Sequence, residues 1–145
     1  TEDPYSRSFA LFAVGKMHGP AVQEALPEVI GSLMHPDKEV RDSAARTLGK
    51  IAEAVPPGQF AGERRTEIYE VLFRALSDAQ PPVRAKAVRS LGKLARFGYL
   101  DAGQEQRVRL AVLRILGRDE AHEWDRAFIV RREAEETLRH LDGRA

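Results

Sequence analysis

At 145 residues, with 43% apolar and 31% charged side chains, the chain is long enough to bury a core and too apolar for a disordered tail. The formal net charge of +1 hides local asymmetry, and the lack of cysteine excludes a disulfide framework, a thiol nucleophile and thiolate metal ligands. No apolar run reaches the roughly 18 residues of a bilayer span and no basic-then-apolar leader opens the chain, so a cytoplasmic location is the expectation.

In chain order, residues 1–19 (TEDPYSRSFALFAVGKMHG) are expected to form the second helix of a repeat whose first helix lies outside this sequence. Asp3-Pro4 would start that helix and Gly19-Pro20 would stop it. Residues 21–34 place Val22, Leu26, Val29, Ile30 and Leu33 on one helical face, with Pro27 predicting a kink or a late start. His35-Pro36-Asp37 predicts a short turn, Asp37 being the N-cap of a helix over 38–55 that stops at Pro56-Pro57-Gly58. The stretch 56–62 (PPGQFAG) reads as a longer connection. A helix over 63–77 directs Ile68, Val71, Leu72, Ala75 and Leu76 inward, and residues 78–82 turn the chain into a helix over 83–97. The helix over 104–117 carries Val108, Ala111, Val112, Ile115 and Leu116 as its apolar stripe. Residues 118–127 (RDEAHEWDRA) expand the next turn, and a helix over 128–141 follows. The 3.6-residue period persists throughout, and no segment makes a credible strand.

A string returns along these helices. Val40-Arg41-x-x-Ala44-x-x-x-Leu48 recurs as Val83-Arg84-x-x-Ala87-x-x-x-Leu91 and as Val130-Arg131-x-x-Ala134-x-x-x-Leu138, with a partial copy from Arg7 to Lys16. The four arginines lie 34, 43 and 47 residues apart, the spacing of a solenoid. First helices align too, as Val29-x-x-x-Leu33, Leu72-x-x-x-Leu76 and Val112-x-x-x-Leu116, each followed by an aspartate at 37, 78 or 119. The expected architecture is all-α, one domain over 1–145, with a partial repeat at 1–19 and repeats at 20–57, 58–100 and 101–145.

This pattern resembles the HEAT repeat, especially the HEAT-like repeats similar to those of phycobilisome bilin lyases. The residues that carry the resemblance are Asp3, Asp37, Asp78 and Asp119 in the turns, the Val-Arg starts, and Leu-Gly-Lys at 48–50 and 91–93. It implies antiparallel helix pairs stacked into an α-α superhelix of about three and a half hairpins, second helices lining the concave side. It further implies a ladder between repeats made by the turn aspartate and the arginine after it. That arginine follows by four residues for Asp3–Arg7 and Asp37–Arg41, six for Asp78–Arg84 and twelve for Asp119–Arg131, the last a poor match. Arg7, Arg41, Arg84 and Arg131 are therefore read as structural.

Once core and ladder are assigned, a face is left over. Val40, Ala44, Leu48 and Ile51 form the core stripe of the second helix, and Gly15, Gly49 and Gly92 recur where neighbouring second helices would approach closely. Opposite the core stand Ser43, Arg46, Lys50 and Glu53, then Lys86, Arg89, Lys93 and Arg96. Stacking aligns Lys16, Lys50 and Lys93 in one row and Arg46 beside Arg89 in another, a basic strip suited to anionic partners. The plainer alternative is a solvated helix face. Phe9 and Phe12 break the strip at its N-terminal edge and need cover, from a missing segment, the chain's own N-terminus or a partner protein, a homodimer through that edge being the expectation. Glu133, Glu136 and His140 replace it on the last helix, which reads as a polar cap.

No catalytic machinery is legible. The four histidines are scattered without i, i+4 pairing, and the single His122-Glu123 pair falls in a turn insertion; Gly58-x-x-x-Gly62 is not a phosphate loop. No metal, cofactor or enzyme activity is expected. Trp124, the only tryptophan, sits in the 118–127 insertion and either packs over the last helices or serves as a contact. The expected role is a protein-binding scaffold whose partner carries an acidic segment, held by Lys16, Arg46, Lys50, Lys86, Arg89, Lys93, Arg96 and Trp124. A nucleic-acid-binding module using the same strip, and a lyase-like or enzyme-accessory subunit, are the alternatives. Against nucleic acid, the strip has no interleaved aromatics for stacking bases.

Overall fold

The computed structural model of the chain describes residues 20–143. The expectations that concern Asp3, Arg7, Phe9, Phe12, Gly15 and Lys16 lie outside the described residues. Six α-helices follow one another: α1 (Pro20–Ser32), α2 (Lys38–Ala54), α3 (Gly62–Ala75), α4 (Pro81–Arg96), α5 (Ala102–Ile115) and α6 (Phe128–Gly143). A single 3-10 turn, Pro57–Gln59, lies between α2 and α3. The fold is an all-α solenoid, and the described residues form no strand, only one isolated antiparallel bridge between Leu116 and Trp124.

Local chemistry sets the helix ends. The Asp37 carboxylate accepts the Glu39 N–H at 2.8 Å, satisfying one of the orphan donors that open α2. At α5 the cap is reciprocal: Asp101 accepts from the Gln104 N–H while the Gln104 side chain accepts from the Asp101 N–H. Pro81 and Pro82 occupy the first turn of α4, where their missing N–H groups cost nothing. α1 runs through Pro27 without a break, the proline standing on the exposed side.

The apolar stripes assemble into one core that runs along the solenoid, and Val40, Ala44, Leu48 and Ile51 are all buried in it. On α5 the expected stripe is thinner. Val108 and Val112 are buried, but Ala111, Ile115 and Leu116 are only partly covered, because no later first helix among the described residues packs on them. Three aromatic residues add bulk that the stripes did not announce. Tyr69 is fully buried, with its ring 5.5 Å from that of Phe73. Phe60, in the connection, meets Tyr99 at 6.2 Å between ring centroids. The Tyr99 hydroxyl donates to the Val55 carbonyl at the end of α2, and burial pushes its pKa up to about 12 against the opposing charge of Arg65.

Successive second helices α2, α4 and α6 pack along their length, whereas successive first helices α1, α3 and α5 make little contact. The solenoid therefore closes on its second-helix side and opens on the other, where a groove of about 940 Å3 lies between α3 and α5 over Phe73, Leu110 and Ile115. A repeated seam explains the tightness. A Cβ placed on Gly49 would lie 2.5 Å from Ser90 Oγ and 3.2 Å from its Cα, and one on Gly92 would lie 2.9 Å from Thr137 Oγ1. Beside each glycine the hydroxyl crosses to the preceding second helix: Ser90 donates to the Ala45 carbonyl at 2.6 Å, and Thr137 to the Val88 carbonyl at 3.4 Å.

Candidate functional site

Two of the ladder arginines, Arg41 and Arg84, are engaged between repeats. Arg41 donates through Nε and Nη2 to both carboxylate oxygens of Asp78, at 2.8 and 3.2 Å, while its Nη1 holds the His35 and Pro36 carbonyls of its own turn. Hydrogen bonding to Asp78 raises the Arg41 pKa further, so the charge is permanent. Arg84 repeats the arrangement: Nε and Nη2 reach Asp125 at 2.9 and 3.0 Å, and Nη1 takes the Asp78 and Ala79 carbonyls. Each arginine thus clamps the aspartate of the following repeat. Asp125 fills the place expected of Asp119, a correction with a clear geometric cause. Asp37, Asp78 and Asp125 each accept the N–H two residues on, at the mouth of a second helix, and Asp125 precedes Arg131 by the same six residues that separate Asp78 from Arg84. Asp119 lies at the far end of the insertion, where it accepts the Ala121 N–H. Burial pushes the Asp125 carboxyl up, but hydrogen bonds from Arg84 and Ala127 and the charges of Arg84 and Arg131 outweigh it and hold it below its ordinary value.

On the second-helix face the basic strip divides into two kinds of cation. Lys86 pairs with Asp42 at 3.2 Å and Lys93 with Glu53 at 2.7 Å, both bridges running from α4 back to α2. The Lys93 hydrogen bond holds the Glu53 carboxyl below its usual range, aided by the charges of Lys93, Lys50 and Arg89. Lys86 and Lys93 are thus partly neutralised by neighbours that repeat alignment alone could not pair with them. Arg46 and Arg89 are exposed and have no ion-pair or hydrogen-bond partner among the described residues; Lys50, half-buried, has no ion-pair partner there. Arg96 is also exposed, its guanidinium 5.3 Å from the centre of the Phe97 ring. Among the described residues, the cations of the strip that form no ion pair are thus Arg46 and Arg89 on adjacent helices, with Lys50 and Arg96 nearer the helix ends. On α6 the strip gives way to Glu133, Glu136 and His140, Glu136 being paired with Arg139 and lying 3.4 Å from His140.

The 118–127 insertion has an ordered path. Asp125 N–H donates to the Ile115 carbonyl at 2.8 Å, and Gly117 adopts φ +72°, where an added Cβ would lie 3.2 Å from the Trp124 ring. Trp124 rests on that glycine and remains 61% exposed. His122 is exposed, with φ 54°. Among the described residues, no group of three or more His, Asp or Glu side chains converges as metal ligands would, and no helix is long and apolar enough to cross a membrane.

The sequence matches two family models. Residues 4–51 match the model of the HEAT-like repeat and residues 68–98 that of the HEAT repeat. No curated protein and no solved structure matches the chain.

Proposed function

The chain is a HEAT-repeat protein, and from that premise we propose that it is a non-catalytic scaffold binding an acidic segment of a partner protein across its concave second-helix face. Solenoids use such extended concave surfaces for recognition. Arg46 and Arg89 are the anchors, with Lys50 and Arg96 extending the contact; Lys86 and Lys93 tie α4 to α2 and contribute field instead of direct contacts. The observation that carries this reading is the pair of exposed guanidiniums on adjacent helices that form no ion pair among the described residues, where Lys86 and Lys93 do. Planar forks on successive helices suit carboxylates along an extended chain.

The test is capture of a fluorescent poly-glutamate peptide at low salt, followed by affinity capture from host extract. Arg46→Glu with Arg89→Glu is expected to weaken peptide binding by about tenfold or more, with far-UV circular dichroism unchanged. Equal binding by the double variant would remove these residues from the site. Tighter binding of single-stranded nucleic acid, falling steeply with salt, would move the surface to a nucleic-acid role.

A further inference from the structure

The rung at Arg131 is half built among the described residues. In the two complete rungs, arginine Nη1 holds carbonyls of its own turn while Nε and Nη2 grip the carboxylate of the next repeat. Arg131 begins in the same way, its Nη1 donating to the Asp125 carbonyl at 2.7 Å. No carboxylate among the described residues meets its remaining edge. The fork is already aimed by its own turn, and it stands beside Phe128, 64% exposed, and Trp124. These side chains line a shallow groove of about 460 Å3 beside α6.

The flank of α6 limits what can fill that groove. Where α4 offers the small residues Ala85, Val88 and Gly92 to its neighbour, α6 carries Arg132, Glu135 and Arg139 at the corresponding positions. Arg118 pairs with Glu135, and Arg139 with Glu136, so the flank is occupied by charge. A second helix cannot approach it as α6 approaches Gly92. The rung invites a carboxylate, and the flank refuses a packed helix.

We propose that this end face docks a short aspartate-bearing turn of a partner protein, its carboxylate filling the Arg131 fork and its adjoining apolar residues lying on Phe128 and Trp124. Charge agrees, since neither Arg131 nor Arg132 forms an ion pair among the described residues. The chain itself supplies the template: Leu76-Ser77-Asp78-Ala79-Gln80-Pro81-Pro82 is the segment that offers its aspartate to Arg41. This surface is separate from the concave face and does not depend on that reading.

Trp124 is the only tryptophan, so its emission reports on this face alone. Titrating the full chain with a synthetic peptide of sequence 74–82 is expected to change that emission saturably. Replacing the peptide aspartate by asparagine should weaken binding by about tenfold or more, an outcome read against the unaltered protein. Arg131→Ala should do the same, and Arg131→Lys should restore little, because an ammonium cannot form the bidentate fork. Arg46→Glu with Arg89→Glu should leave the titration unchanged. No emission change at millimolar peptide, or equal binding of the asparagine peptide, overturns the proposal. Self-association of the chain that Arg131→Ala abolishes would also overturn it, by assigning the face to a second copy.

Discussion

Arg84 and Asp125 show how much of the ladder a single residue type reveals. The arginines were legible because Val-Arg recurs at each second-helix start, but the acid of the last rung was not. Counting forward from the first helix leads to Asp119; counting back from Arg131 by the Asp78–Arg84 spacing leads to Asp125. The backward count succeeds because the acid must cap the turn that enters the second helix, wherever the insertion falls. The rung is largely shielded, with side-chain exposures of 19% and 13%, so Arg84→Ala should cost about 2 kcal/mol in chemical denaturation. Arg84→Lys should recover less than half of that. Because the folded state depresses the Asp125 pKa, the unfolded chain binds that proton more tightly. The stability so gained is present above the ordinary value of 3.8 and is lost as pH falls through the depressed one. Asp125→Asn should flatten the stability profile in that window, as followed by thermal melts from pH 5 to 2.5.

At the scale of helices, the core stripes other than that of α5 are readable from period alone, and Gly49 and Gly92 mark close approach by their recurrence. What period could not supply lay in the connections or across the seam. Phe60 and Tyr99 have no periodic neighbours to mark them as buried. Lys86 and Lys93 looked free because their acids, Asp42 and Glu53, stand on another helix at unrelated register. The glycines themselves give a paired prediction. Gly49→Ala gains up to about 1 kcal/mol of helix propensity, yet its methyl would strike Ser90 down to the backbone. Overpacking of this kind costs about 1–3 kcal/mol, so the net effect should be destabilising, as should that of Gly92→Ala. Gly31, also inside a helix, has nothing among the described residues within 4 Å of its would-be Cβ. Gly31→Ala should therefore stabilise by about 0.5–1 kcal/mol, seen as a raised denaturant midpoint with an unchanged slope.

Taken whole, the molecule is a chain of neighbours. α2 meets α4 and α4 meets α6, and each ladder rung joins one repeat to the next and no further. Stability in such an array is a sum of local terms, so damage should stay local. Arg84→Ala, which loosens the junction before α5 and α6, should raise amide exchange in those two helices well before α1 and α2. Uniform loss of protection across all six would show instead that the array unfolds as one unit.

The crowded seam at Gly49–Ser90 and Gly92–Thr137 also makes the solenoid mechanically lopsided. Its stiff spine lies along the second helices, where hydroxyls and backbone already touch, and its slack lies among the first helices. Such a body flexes like a hand fan. The ribs can spread or gather at their outer ends while the pivots keep their distance. Anything wedged between α3 and α5 would change the arc at little cost, and the gap between Arg46 and Arg89 would hardly alter. A ligand on the first-helix side would thus re-aim the two ends of the molecule with little change along its second-helix side.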